Sequence, residues 1–332
     1  MNTSSLLKTA SLALALLLAG TQLSAQEHAA LEPAAKHHAC EEYAPGDIVT
    51  PHITDSHCLE YPGFPKFWEP HELELPRWTP IHVGNVEIDL SPTRHVVYLL
   101  LAAVLCFLVL ISAARAHVRH TSLIGRPKGG FANGIEAMVL YIRQEVALPN
   151  LGHHGEKYVP FVLTLFWFIL FANILGLIPY GSTATGNISV TATLAIITFF
   201  MVEIAGIRAN GIGYLNTIFY WNKELPVGVR EFMFLLMTPV EIIGKFSKPF
   251  ALAIRLFANM TAGHIVVLGM VSLIFAFASA IVSHPPFTFL IVLPPILMAT
   301  AIMVLELFVS FLQAFIFSLL ASVFIGTIRA HH

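Results

Sequence analysis

Lys248-Pro-Phe-Ala-Leu-Ala-Ile-Arg255-Leu-Phe-Ala-Asn259-Met-Thr-Ala-Gly-His264 is the stretch on which the reading of this chain turns. Arg255 sits inside a long apolar run. From Leu256 to Leu305 there are 50 residues without Asp, Glu, Lys or Arg; Glu306 interrupts, and 22 more uncharged residues follow before Arg329. An arginine at membrane depth costs about 2.5–3.5 kcal/mol on insertion scales. A lone fixed cation in such a place marks a functional site.

The surrounding composition fits a membrane solvent. Hydrophobic residues make up 56% of the 332, charged residues 11%, and mean hydropathy is +0.73. Soluble domains carry about 25% charged residues, so this is a multi-span membrane protein. The net charge of −2 hides a segregation: residues 26–94 hold 12 of the 20 acidic residues and four of the 18 basic ones. No basic stripe suited to nucleic acid is present.

Residues 1–25 combine Lys8, an apolar core from Ala10 to Gly20 and small residues at Ser24-Ala25. That is the pattern of a signal peptide cleaved after Ala25. The core is short for a full span, which disfavours an uncleaved anchor. Residues 26–94 are rich in Pro, His and Glu and show little periodicity. They read as a solvated, loosely ordered periplasmic segment. Its seven histidines show no recurring ligand spacing, so neither metal nor cofactor is expected. Val83, Val86, Ile88 and Leu90 suit one short strand. Cys40 and Cys58 can pair if this segment is exported, whereas Cys106 falls within an apolar span.

The remainder, 95–332, forms one membrane domain. His95–Ala114 is the first span. Arg115, Arg119, Arg126 and Lys128 follow it with no acidic residue among them, which assigns that loop to the cytoplasm. Phe131–Ala147 places Ile135, Met138, Val139 and Ile142 on one helical face. It is too charged to cross and lies along the interface, ending at Pro149. Tyr158–Ile178 and Ile188–Ile207 are spans separated by the turn cluster Pro179–Gly186. Phe232–Ser283 and Phe287–Ile328 each exceed the ~20 residues that a perpendicular helix needs. Five crossings from an outside N-terminus put Arg329-Ala-His-His in the cytoplasm, so each long segment is a single tilted helix, and Pro294-Pro295 bends the last. The expected fold is all-α: five membrane-crossing helices, two of them long and tilted, and one amphipathic interfacial helix. The setting is a bacterial inner membrane.

Several polar side chains break the apolar runs. Asn259 is four residues after Arg255, on the same face. Glu306, Ser310 and Gln313 form one stripe on the last helix, the kind of wall that lines a water-filled path. His264 titrates near neutrality and can relay protons, although a packed histidine is the plainer reading of that residue alone. Asn173 suits helix–helix bonding within the membrane. Glu241 and Lys245 are spaced as an interfacial ion pair. Arg255 stays charged at every physiological pH, so it can neither donate nor accept a proton. It can hold a neighbouring carboxylate ionised, since a nearby opposite charge lowers an acid's pKa by about 1–3 units.

Two constellations, Arg-Leu-Phe-Ala-Asn-Met-x-Ala-Gly-His from Arg255 and Leu-Gln313-Ala-Phe-Ile-Phe, resemble subunit a of the F-type ATP synthase. The resemblance runs from about Phe131 to the C-terminus and leaves residues 26–94 outside. It implies a stator subunit that conducts protons through two offset half-channels to and from carboxylates on a subunit c ring. The implied partners are that ring, the subunit b peripheral stalk, the rest of the complex and membrane lipid. Site residues implied are Arg255, Glu306, His264, Gln313 and Asn259, with Glu241, Ser310 and Asn173 more remote. Many bacterial members carry the acid at the position of His264 and the histidine at that of Glu306; here the two are exchanged.

No phosphate-binding loop, nucleophile elbow or zinc-protease motif occurs, so any catalysis belongs to partners. A secondary transporter with a midplane Arg/His/Glu site would show repeats and broken helices, and neither is evident. A membrane-bound enzyme using His264 and Glu306 as an acid–base pair would need further polar residues around a substrate pocket.

Overall fold

Uninterrupted apolar sequence dictates the architecture, because a backbone in lipid must satisfy its own hydrogen bonds and a helix does so within one segment. A computed structural model of the protein describes residues 54–62, 70–83, 86–120, 130–152, 155–178, 181–214, 226, 228–277 and 288–330. The expected signal peptide and Cys40 lie outside these residues. Five helices are long and apolar enough to cross a membrane: α1 (Arg94–His120), α4 (Val159–Gly176), α5 (Ile188–Asn210), α6 (Val229–Ala276) and α7 (Thr288–Ala330). Each of the two long apolar segments is one helix, of 48 and 43 residues. Helical structure runs through Pro239, Pro249, Pro294 and Pro295.

The interfacial helix differs from expectation at its end. α2 (Gly130–Tyr141) passes into a π-helical turn, Ile142–Ala147, and then into a short α3 (Leu148–Leu151). Pro149 therefore begins a turn instead of ending the helix; in a first turn its missing N–H is no loss. Gly152, at φ 68°, is what stops the chain. Nothing in α2 is buried, whereas Ile142, Val146, Ala147 and Leu151 are. The predicted face of Ile135, Met138 and Val139 is half-buried.

The N-terminal segment is more ordered than its composition suggested. β1 (Cys58–Pro62) pairs antiparallel with β2 (Pro70–Glu74), in the register Cys58↔Glu74. β3 (Ile81–Val83) pairs with β4 (Val86–Ile88), in the register Val83↔Val86. The single strand expected over Val83–Leu90 is thus a hairpin folded back between Val83 and Val86. Cys58 is disulfide-bonded, to a partner outside the described residues; Cys106 is free and buried.

The chain divides into two compact units, and each long helix contributes to both. The first comprises residues 1–106, 168–191 and 255–313. Its apolar cluster is Ala102, Ala172 and Leu175, flanked by Tyr98, Leu105, Phe168 and Phe171. Residues 54–58 strap the start of α1: the Arg94 N–H donates to the Ser56 carbonyl at 2.9 Å and its guanidinium to the Thr54 carbonyl at 2.8 Å.

The second unit comprises 107–167, 192–254 and 314–332. Ala147, Leu151, Tyr158, Val159, Val162, Val202, Ala205 and Ile325 form its core. α7 meets α3 here through small residues. Arg329 donates to the Leu151 carbonyl at 2.8 Å, and Ser322 to the Val146 carbonyl at 3.5 Å. A Cβ on Gly326 would fall 1.8 Å from the Asn150 carbonyl oxygen. Backbone cannot yield as a flexible side chain can. Gly326→Ala is therefore expected to destabilise the fold by about 1–3 kcal/mol, the usual cost of overpacking. Thermal unfolding in detergent should show a lowered midpoint, against no loss in Gly269→Ala, where a Cβ meets nothing within 4 Å.

Candidate functional site

Arg255 lies in α6 with its side chain exposed, and Asn259 is exposed one turn further on. Among the described residues Arg255 has no ion pair and no hydrogen bond. The internal candidate, Glu306, lies beside His264 instead. Long-chain cations in a membrane normally pair or face water. The chain presents this guanidinium outward instead, on a helix whose neighbouring residues Phe250 and Ile254 are also exposed.

Behind that face, α6 and α7 meet as antiparallel neighbours. His264 Nε2 lies 3.7 Å from Glu306 Oε1, and the Ser310 hydroxyl contacts Met260 Sδ at 3.9 Å. One partner advances by four residues as the other retreats by four, which is one helical turn in opposite directions. The Glu306 side chain is 5% exposed and that of His264 25%. A separation of 3.7 Å is too long for a direct hydrogen bond, and Glu306 Oε1 accepts none. Proton exchange between them needs a small rotation or one bridging water.

Gly263 is what lets the two helices approach. A Cβ there would lie 2.6 Å from Glu306 Oε1 and 2.8 Å from its carboxyl carbon. The Ala-Gly-His sequence thus sets a slot for the acid beside its imidazole. The same nitrogen has its hydrogen-bond partner in the turn after α4: the Thr183 hydroxyl bonds His264 Nε2.

Asn173 and Ser310 are fully buried and joined: the Asn173 amide donates to the Ser310 carbonyl at 3.2 Å and accepts from the Thr185 hydroxyl at 2.7 Å. This fits the bonding role expected of Asn173. Gln313 is buried, but no hydrogen bond joins it to Arg255. Gln313 lies two turns beyond Glu306 along α7, on the stripe that Glu306 and Ser310 define.

His264, Glu306, Thr183, Thr261 and His95 line a cavity of about 380 Å³ in the first unit. A second cavity, of about 670 Å³, lies wholly within the other unit, lined by Glu203, Glu241, Lys245 and Lys248 among others. The two share no lining residue.

Glu241 is exposed and does not take Lys245 as its partner. Lys245 Nζ instead bonds Glu203 Oε1 at 3.3 Å and the Tyr214 hydroxyl, whose ring centroid is 4.3 Å away. The i, i+4 spacing offered a local partner; a carboxylate on α5 won, because it is half-enclosed with the lysine and cannot be left unpaired. The Tyr214 hydroxyl donates to Glu203. Burial, with that hydrogen bond and the Glu203 charge, pushes the Tyr214 phenol well above its ordinary range.

Sequence reasoning passed over Thr183, Gly263 and Tyr214, and it reads Glu203 only as an interfacial residue. Glu203 carried a signal, as the one carboxylate within the apolar run of α5. Thr183 did not: hydroxyls in a turn read as solvated, yet Ser182, Thr183 and Thr185 are buried.

Residues 96–326 match the family described as ATP synthase A chain. Curated relatives include ATP synthase subunit a 2 of Chlorobaculum tepidum, 44% identical over 301 residues, covering 90% of this chain and 78% of that protein. ATP synthase subunit a of Chlorobium phaeobacteroides strain BS1 is 44% identical over 290 residues, 86% and 77% of the two chains. That of Anaeromyxobacter sp. strain Fw109-5 is 38% identical over 311 residues, 86% and 71%. The chain belongs to the ATP synthase A chain family, the proton-translocating stator subunit in the membrane sector of that enzyme. The match begins well before Phe131. An alignment over 90% of 332 residues also reaches into the N-terminal segment, which cannot be left outside the resemblance.

If the slot at Gly263 positions the acid, Gly263→Ala should displace the flexible Glu306 side chain without unfolding the helices. The expected outcome is a normal amount of chain in the assembled complex with strongly reduced passive proton flux through vesicles stripped of their soluble sector. Undiminished flux would show that the His264–Glu306 spacing is not functional.

Proposed function

We propose that this chain conducts protons through two half-channels that do not meet, and that Arg255 prevents direct leakage between them. Protons enter one half-channel from outside and reach Glu306 through His264, with Gln313, Ser310 and Asn173 along its wall. They board a carboxylate on a subunit c ring, travel with the ring through lipid and leave through the second half-channel, near Glu241. Domain assignments follow the same reading: 1–25 a signal peptide, 26–94 a periplasmic segment, 95–332 the channel. A subunit b stalk holds the stator.

The observation that carries this is the exposed guanidinium of Arg255, which stands beside Asn259 and has no partner among the described residues. A cation that its own chain leaves uncompensated at membrane depth calls for an anion supplied from elsewhere. A ring carboxylate arriving there ionises, because the nearby charge lowers its pKa. It regains a proton once it moves off, because lipid disfavours the charged form. The proton thus has to take the ring, and rotation follows. Each charge moved through 100 mV releases about 2.3 kcal/mol.

Three further features support the arrangement. The two cavities draw on separate sets of residues. His264 and Glu306 keep one imidazole and one acid within a short rotation of each other. The disulfide at Cys58 suits an oxidising compartment for the N-terminal segment, and so an outside N-terminus with the C-terminus in the cytoplasm.

The test is Arg255→Ala in inverted membrane vesicles. ATP-driven proton pumping should fall to background while the complex remains assembled. Pumping at the parental rate would rule out Arg255 as the ionising and leak-blocking group.

A further inference from the structure

The cavity that holds His264 and Glu306 has a second imidazole in its wall, and neither the polar stripe nor the conducting motif accounts for it. His95 opens α1 and its side chain is only 4% exposed. Its Nδ1 lies 2.7 Å from Asp55 Oδ1, within ion-pair reach but not aligned as a hydrogen bond. Asp55 belongs to the N-terminal strap, 40 residues earlier in sequence. It is held in three ways: the His95 backbone N–H reaches Oδ1 at 3.4 Å, the Asn187 amide reaches Oδ2 at 3.5 Å, and the ring nitrogen completes the set. The Asp55 side chain is 25% exposed, so this pair bridges surface and cavity.

We propose that His95, oriented by Asp55, is a proton relay at the mouth of the outer half-channel, delivering to the His264–Glu306 pair. This rests on the channel reading above and adds a residue to it.

The chemistry follows from which nitrogen is occupied. With Nδ1 turned to the carboxylate, Nε2 is the nitrogen left to exchange with the cavity. A carboxylate at Nδ1 fixes the tautomer and stabilises the imidazolium. A proton brought by a water at the cavity mouth bonds to Nε2, giving an imidazolium that keeps Nδ1–H toward Asp55. Nε2–H then passes its proton to a cavity water, and the neutral Nδ1–H tautomer is restored. Pumping in the other sense reverses each step. The path beyond His95 is polar and roomy: Thr183, Thr261, His264 and Glu306 line about 380 Å³, far above the ~10–15 Å³ that one water needs.

The pair is also built to stay charged on the acid side. Burial alone would raise the Asp55 carboxyl. The close approach of His95 outweighs it, and Asp55 sits below its ordinary value. Asp55 is thus a positioning residue, and His95 is the one that exchanges protons.

The experiment measures passive proton flux in vesicles carrying the full complex, with the soluble sector removed and a potassium diffusion potential as drive. His95→Ala is expected to lower flux several-fold, and imidazole added on the outer side should restore it by occupying the vacated space. Asp55→Asn should lower flux, while Asp55→Glu keeps most of it. Should His95→Ala fail to assemble, the Asp55 pair gives the answer. Unchanged flux in assembled His95→Ala or Asp55→Asn overturns the proposal, and so does a loss that imidazole does not restore. Glu306→Gln in the same vesicles separates the two readings. If it conducts normally, the channel reading itself falls. If it blocks flux while the Asp55 and His95 variants do not, only this inference falls.

Discussion

A guanidinium that cannot lose its charge, set in a helix for which lipid is the solvent, constrains everything around it. The chain keeps Glu306 away from Arg255 by giving that acid its own imidazole, and it leaves Arg255 on an uncovered face with Asn259. Had Glu306 paired with Arg255, the site would be neutral and closed. In the proposed mechanism the separation of the two charges is what matters: one group transfers a proton and the other never can.

Helix packing maintains this separation. α6 and α7 run antiparallel, so one-turn steps on each place Met260 against Ser310 and His264 against Glu306. Gly263 supplies the space that a carboxylate needs between two backbones. Buried hydroxyls from the turn after α4 tie it to the helices: Thr183 bonds His264 and Thr185 bonds Asn173. In a medium that offers few alternatives, such bonds fix geometry as well as adding energy.

Much of this was legible in the chain. Uncharged runs marked the five spans, because length and apolarity are what a bilayer reads. The charge gaps around Arg255 and Glu306 marked the two residues on which the proposed mechanism rests. Helical spacing put Glu306, Ser310 and Gln313 on one stripe, since 3.6 residues per turn is a local property. Contacts between distant segments were not legible. Nothing near Lys245 points to Glu203 and Tyr214, and the spacing to Glu241 suggested a nearer partner. Asp55 lies in a stretch without periodicity, so its meeting with His95 could not be foreseen. Pro149 was taken as a stop, because the π-helical turn before it has no sequence signature.

The central claim is that the Arg255 face meets a carboxylate from another subunit. Disulfide cross-linking in the assembled complex tests it most directly: Asn259→Cys, one turn from the guanidinium, against cysteines placed one turn from the ring carboxylate. The account predicts a product joining this chain to the ring subunit under mild oxidation. An intact complex that gives no such product, while a cysteine on another exposed face does, would contradict it.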